Sequence, residues 1–185
     1  MDAIYGRRTV RCFSTAKVPD ATIHALLYAA VQAPTLSQGA APIGFSVITN
    51  HSMLNVLSDW TTRSCNTVEG DLPSMVADID TGDLTASGLF HGAGTLIVLY
   101  IFSSDERHVP ECWMAADNIM LAACGMGLGT CLIAPALGAL NTPEWKKRLD
   151  VPESAQAGAA IVVGFPVGPL PRVNRFPPEI VSWIS

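Results

Sequence analysis

The sequence predicts an α+β domain built round a central sheet, and three observations carry that reading. Gly94 to Phe102 is apolar at nearly every position, as a strand covered on both faces must be. Segments with apolar residues at helical spacing outnumber the strand-like ones. Ala157 to Phe165 is a further long apolar run and closes the pattern as its last strand. The 185 residues are read as a single domain, 1–185, long enough to bury a full core without staples.

Taken in order, Pro19 and Asp20 suit the start of a helix in which Ile23, Leu26, Leu27, Ala30 and Val31 share a face, and Pro34 ends it. Gly44 to Ile48 reads as a short strand, and Asn50-His51-Ser52 opens a helix carrying Met53, Leu54, Val56 and Leu57. From 59 to 90 the character turns polar and acidic, with Asp59, Glu69, Asp71, Asp78, Asp80 and Asp83 against Arg63, which predicts a mobile excursion or lid over 59–90. Thr95 to Phe102 should then be central in the sheet. Cys112 to Met126 is so rich in Ala, Met and Leu that the helix it predicts must be buried on several sides, in the core or along a dimer axis. It ends at Gly127-Leu128-Gly129, followed by a strand over Thr130 to Ile133 and a helix capped by Thr142 and Pro143 that carries Trp145 and Leu149.

Composition narrows the function classes. A hydrophobic content of 49% with a mean hydropathy of +0.33 predicts that apolar surface is hidden against a second copy, a homodimer. The longest strongly apolar run is far short of the roughly 20 residues that cross a bilayer, so no membrane partner is expected. The first residues lack a secretory pattern, which points to a cytoplasmic location. Cys12, Cys65, Cys112, Cys124 and Cys131 show no paired spacing, so they read as small core residues, with no metal. A net charge of −5 without a basic stripe argues against nucleic acid. His24, His51, His91 and His108 read as surface or loop residues, and Trp60, Trp113, Trp145 and Trp183 as packing residues. No Ser-His-Asp set or paired carboxylates are placed for acid-base work.

Against this acidic background, Arg7-Arg8-Thr9-Val10-Arg11 reads as a seat for an anion, because guanidinium forks match phosphate oxygens two at a time and Thr9 adds a short hydroxyl. Arg172 and Arg175 form a second basic pair after the last strand and a Gly-Phe-Pro turn, where the chain could return to the first. Gly127-Leu128-Gly129 is not a dinucleotide fingerprint: it ends a helix and precedes a strand, the reverse of the order that a phosphate loop needs.

Taken together, Arg7 to Phe13, Ala33-Pro34-Thr35, Gly127 to Ile133 and Gly164-Phe165-Pro166 with Arg175 resemble the FMN-dependent nitroreductase family, in its order and over nearly the whole chain. The resemblance implies a sandwich with a central, mostly antiparallel sheet flanked by helices, in an intertwined homodimer with FMN at the subunit interface. It implies that Arg7 and Thr9 hold the FMN phosphate and ribityl chain with Arg8 helping, and that Arg175, assisted by Arg172, closes on the same phosphate. Arg11 falls where the family sets a cation near the pyrimidine edge of the flavin, and such a cation raises the electron affinity of the ring. Pro34, Thr35, Leu36 and Gln38 resemble the segment that the partner subunit lays along the flavin, although the loop is one residue longer than the family's and lacks its closing Gln and Trp. The family also uses backbone N–H groups after the Gly-Leu-Gly turn to reach flavin N5. Ile133 and Ala134 can donate there, Pro135 cannot, and Ala134 is the expected donor. Phe90 and Trp113 are candidates for lining the acceptor pocket, and Arg63 and Asn66 for polar contacts from the excursion.

The function so implied is hydride transfer from NADH or NADPH through flavin N5 to an electron-poor acceptor such as a nitroaromatic or a quinone, in ping-pong order. No residue of the chain is catalytic in its own right, since the cofactor carries the chemistry. Two alternatives stand beside it: a flavin-dependent dehydrogenase or oxidase of a specialised metabolite, and a non-catalytic flavin-binding dimer.

Overall fold

The structure is a computed structural model that describes residues 1–35, 42–67, 88–103, 105, 107–170 and 173–184, with backbone alone for 64–67. Its centre is a four-stranded antiparallel sheet in the order β1-β2-β4-β3, from β1 (Ile43–Ile48), β2 (Thr95–Ile101), β3 (Gly129–Leu132) and β4 (Gln156–Gly164). All seven residues of β2 are buried, and its neighbours on either side are β1 and β4, so the central place expected of it holds. The helices are α1 (Asp2–Gly6), α2 (Asp20–Ala30), α3 (His51–Thr67), α4 (His108–Gly125), α5 (Ala136–Leu140) and α6 (Pro143–Arg148).

Alternation along β2 and β4 builds two cores, one on each face of the sheet. Leu96, Val98 and Tyr100 join Val162 and Cys131 beneath α3, α5 and α6, represented by Leu57, Leu140 and Trp145. Ile97, Leu99 and Ile101 join Ala159, Ile161 and Val163 beneath α2 and α4, represented by Leu26, Ala116 and Ile119. The alternation slips once. Leu99 pairs with Ala159 but Tyr100 with Ala157, so Gly158 is an extra residue, a bulge. A Cβ there would lie 2.8 Å from the Cys112 sulfur, which is why a glycine occupies the bulge beneath α4.

Three expectations need correction. The excursion does not begin at Asp59, because α3 continues to Thr67. Its acidic residue belongs to a solvent face, where Asp59 meets Arg63 at 3.9 Å, while Thr61 is buried and Trp60 packs on the core. The rest of the acidic stretch, 68–87, lies outside the described residues. Among the cysteines, Cys112 and Cys131 are buried but Cys12 is exposed, and of the tryptophans Trp145 is fully buried whereas Trp183 is 82% exposed. His91 lies in a loop as expected but is buried there, at a left-handed φ of 54°. No helix among the described residues is long and apolar enough to cross a membrane.

Burial of Tyr100 yields a testable pH dependence. Desolvation pushes its phenol up from 10.0 to about 12, because ionisation inside the core loses hydration. The unfolded chain therefore releases this proton first, and folding stability is intact below about pH 10 and falls as pH rises toward 12. At about 1.4 kcal/mol per unit, roughly 2–3 kcal/mol is lost over that window. Phenolate absorbance followed through denaturant unfolding between about pH 10 and 12 should show Tyr100 ionising only as the protein unfolds.

Candidate functional site

β3 ends the sheet, and its free edge is covered by the N-terminal segment. The Arg7 amide donates to Ala3 O at 2.9 Å and closes α1, after which the chain runs extended. Thr9 forms a parallel bridge with Thr130, and the Val10 amide donates to Thr130 O at 3.0 Å. Farther on, the Ser14 amide donates to Phe165 O at 2.9 Å and the Val167 amide to Cys12 O at 3.0 Å. The run that leaves β4 thus lies against residues 12–14, beside the basic segment.

Two glycines make this docking possible. A Cβ on Gly129 would stand 2.6 Å from Val10 Cγ2, and one on Gly164 2.9 Å from Phe13 Cδ1. Both glycines belong to motifs that the sequence singles out, and both are glycine because the N-terminal segment packs directly on them. Gly127 serves separately: its φ of +75° turns the chain out of α4 into β3. With Val10 and Phe13 turned into the core, Thr9 and Arg11 face away from it, Thr9 half-buried and Arg11 exposed.

The arginines differ in what they do. Arg8 Nη1 donates to Tyr5 O at 2.7 Å and Arg7 O at 2.8 Å, bracing the end of α1. Among the described residues no carboxylate pairs with Arg7 or Arg11. Arg11 is close enough to β3 to act on Cys131: burial pushes that thiol up, and the guanidinium partly offsets the shift. Arg172 lies outside the described residues. Arg175 is exposed in the segment 173–184, and no hydrogen bond or ion pair among the described residues ties it to Arg7.

At the other end of β3 the two expected amides separate. Ile133 N–H donates to Ala160 O at 2.8 Å and is committed to the sheet. No hydrogen bond among the described residues uses the Ala134 amide, and Pro135 begins α5 without an N–H. Thr9, Arg11 and Ala134 are therefore gathered along one strand.

A second cluster stands at the start of α4. Pro34 and Thr35 are exposed beyond α2, and Thr35 Oγ1 donates to Glu111 Oε2 at 3.2 Å. The same oxygen lies 3.1 Å from His108 Nδ1, with the two side chains only 14% and 3% exposed. Sequence reading missed Glu111. Its one signal was a carboxylate near the start of a mostly apolar helix. Leu36 and Gln38 lie outside the described residues, as does the Asn66 side chain, and Arg63 faces Asp59. Trp113 and Met114 are partly exposed on α4, at 36% and 38%. Phe90 is buried and lines a small cleft with His51, Asn55 and Ser58.

An antiparallel sheet sandwiched by helices, with a basic segment pinned to its edge strand, defines an α+β domain. The chain belongs to the nitroreductase family, whose model matches residues 4–168. The fold is that of a nitroreductase with bound FMN from Bacteroides fragilis, with a TM-score of 0.82 at 20% identity over 100% of this chain and 97% of that one. A nitroreductase with bound FMN from Desulfitobacterium hafniense follows at 0.78, 23% identical, covering 94% and 93%. Iodotyrosine deiodinase bound to FMN and 3-iodo-L-tyrosine shares the fold at 0.73, 23% identical, covering 97% and 96%. Among curated protein sequences there is no match.

Proposed function

We propose that the chain is an FMN-dependent oxidoreductase that passes hydride from NADH or NADPH to an electron-poor acceptor such as a nitroaromatic or a quinone, as a homodimer with FMN at the subunit interface. The observation that carries this reading is the pair Arg7 and Arg11, without a carboxylate among the described residues, on a segment fixed to β3 beside Thr9. Such a donor set fits a phosphorylated, electron-accepting ring: Arg7 and Thr9 take phosphate and ribityl oxygens, and Arg8 keeps the segment in register. FMN, when bound, supplies a reversible two-electron store.

Each remaining role belongs to the chain. Arg11 holds positive charge at the pyrimidine edge, where electron density accumulates on reduction. The Ala134 amide donates to the ring. Pro34, Thr35, Leu36 and Gln38 cover the ring of the partner's site and exclude water. Arg172 and Arg175 reinforce the phosphate seat. Trp113 offers a partly exposed flat face to an aromatic acceptor, while Phe90 lines a separate cleft on the other face of the sheet. The homodimer draws support from apolar residues left in solvent near the C-terminal end, Phe176 at 93% and Trp183 at 82% exposed.

An anaerobic absorbance spectrum tests the reading: the purified protein is expected to carry flavin bands that bleach on adding NADH or NADPH. Bands that stay oxidised would exclude the pyridine nucleotides as donors. Arg7→Ala is expected to leave a folded protein with FMN affinity lowered about 10- to 100-fold, since a charge-assisted phosphate contact contributes about 1.5–3 kcal/mol. Unchanged affinity by flavin fluorescence titration would place the phosphate elsewhere.

A further inference from the structure

In the core beneath α3, α5 and α6, three buried polar atoms have no hydrogen-bond partner among the described residues: Tyr100 Oη, Trp145 Nε1 and Thr61 Oγ1. They come from separate elements but from one end of the core. Tyr100 stands opposite Gly44 of β1 and Ala157 of β4. Asn141 clasps that same Ala157: its amide nitrogen donates to Ala157 O at 3.1 Å, and its carbonyl accepts from Ala157 N at 2.8 Å. Asn141 closes α5 and leads into α6, so Trp145, about one turn farther on, is drawn to the Tyr100 end of the sheet. Thr61 lies one turn beyond Leu57 on the buried face of α3, and its neighbour Trp60 meets Trp145 edge to face at 6.5 Å.

Polar groups taken out of water are satisfied by protein or by ordered solvent, and the chemistry of these three selects the partner. The indole N–H can only donate, whereas each hydroxyl can donate or accept. Among the described residues the one buried carboxylate, Glu111, belongs to α4 on the opposite face of the sheet, so nothing in this core calls for an ion. Leu57, Leu140 and Val98 pack the same core and leave no place for a larger ligand. Water has two hydrogens and two lone pairs, and a buried water molecule commonly serves about three otherwise unpaired groups.

We propose that Tyr100, Trp145 and Thr61 form an internal binding site for one water molecule, which accepts from the indole N–H and bridges the two hydroxyls. The water ties α3 and α6 to β2, a link that no direct side-chain hydrogen bond among the described residues makes. The site lies in the core away from the basic segment at the edge of β3, and it does not depend on the flavin reading.

The test is cross-relaxation between water and the Trp145 indole hydrogen, read by NMR on the full chain, with magnetic relaxation dispersion of the solvent counting long-lived waters alongside. The parent is expected to show contact between water and that hydrogen. Removing both hydroxyls with Thr61→Val and Tyr100→Phe is expected to abolish the contact and to lower the count of long-lived waters by one. Urea midpoints should fall in each single variant, and in the double variant by less than the two falls together, because the changes share one water. No contact in the parent, or a contact that survives loss of both hydroxyls, would overturn the proposal. Raised midpoints in the single variants would overturn it as well, since that is the result expected of unpaired hydroxyls in a dry core. An indole hydrogen shifted upfield and isolated from water would mean that it points into the face of the Trp60 ring, and the site would again be lost. If the double variant does not fold, the parent decides: contact between water and the indole hydrogen supports the site, and its absence overturns it.

Discussion

Deleting residues 176–185 is expected to abolish the dimer and the FMN retention proposed above, leaving a monomer. The described part of this stretch leaves Phe176, Val181 and Ile184 more than 90% exposed, with Trp183 at 82% and Ile180 at 62%. Water does not tolerate such a cluster cheaply: burying each large apolar side chain contributes about 1.5–3 kcal/mol. Five of them on each of two chains would outweigh the ~4–15 kcal/mol that association costs in lost freedom. The sheet and both its cores are complete before this segment begins, so the truncated chain should keep its helical circular dichroism and its cooperative unfolding. Light scattering gives the mass, and the ratio of flavin to protein absorbance gives the retained cofactor. A truncated protein that stays dimeric and yellow would mean that the subunits meet through α4 and its neighbours alone.

Trp145→Ala is expected to cost about 3–5 kcal/mol of stability, the range for removing a fully buried aromatic side chain. Trp145 is 0% exposed, meets Trp60 edge to face at 6.5 Å, and lies beneath Arg148 at 5.1 Å from the ring centroid. Its amide is also the one that the Thr142 cap receives at 3.3 Å, so the ring and the start of α6 are fixed together. The loss falls on the core beneath α3, α5 and α6, away from the basic segment at the edge of β3. Urea unfolding should therefore show a lower midpoint, while FMN bound to the remaining native protein keeps its affinity. A fall in affinity as large as the fall in stability would mean that this core and the seat are one cooperative unit.

The frame of the fold was legible because its signals are local and strong. β2 announces itself by unbroken apolar character, and Gly127 by the need for a left-handed turn. Thr142 and Pro143 mark the start of α6 in the same way, by capping. The helical continuation from Asp59 to Thr67 was hidden because its exposed face is polar, and charge on one face of a helix looks like a loop when the buried face is represented by Trp60 and Thr61. The short helices α1 and α5, five residues each, have too few turns to show a period. The basic segment could be read as an anion seat from residue type alone. What the sequence could not convey was division of labour: that Arg8 is tied to Tyr5 O, that Ile133 is spent in the sheet, and that Glu111 receives Thr35 from far along the chain. Those are tertiary facts, and no local pattern encodes them.

The way the N-terminal segment is held governs when the seat can exist at all. Residues 9–14 are fastened to Thr130, Phe165 and Val167, far along the chain, so the basic segment is set in place only once β3 and β4 have formed. Closing so long a loop is slow. Assembly of the basic segment is therefore a late event in folding, and a chain cut short before β4 would carry its three clustered arginines with nowhere to set them.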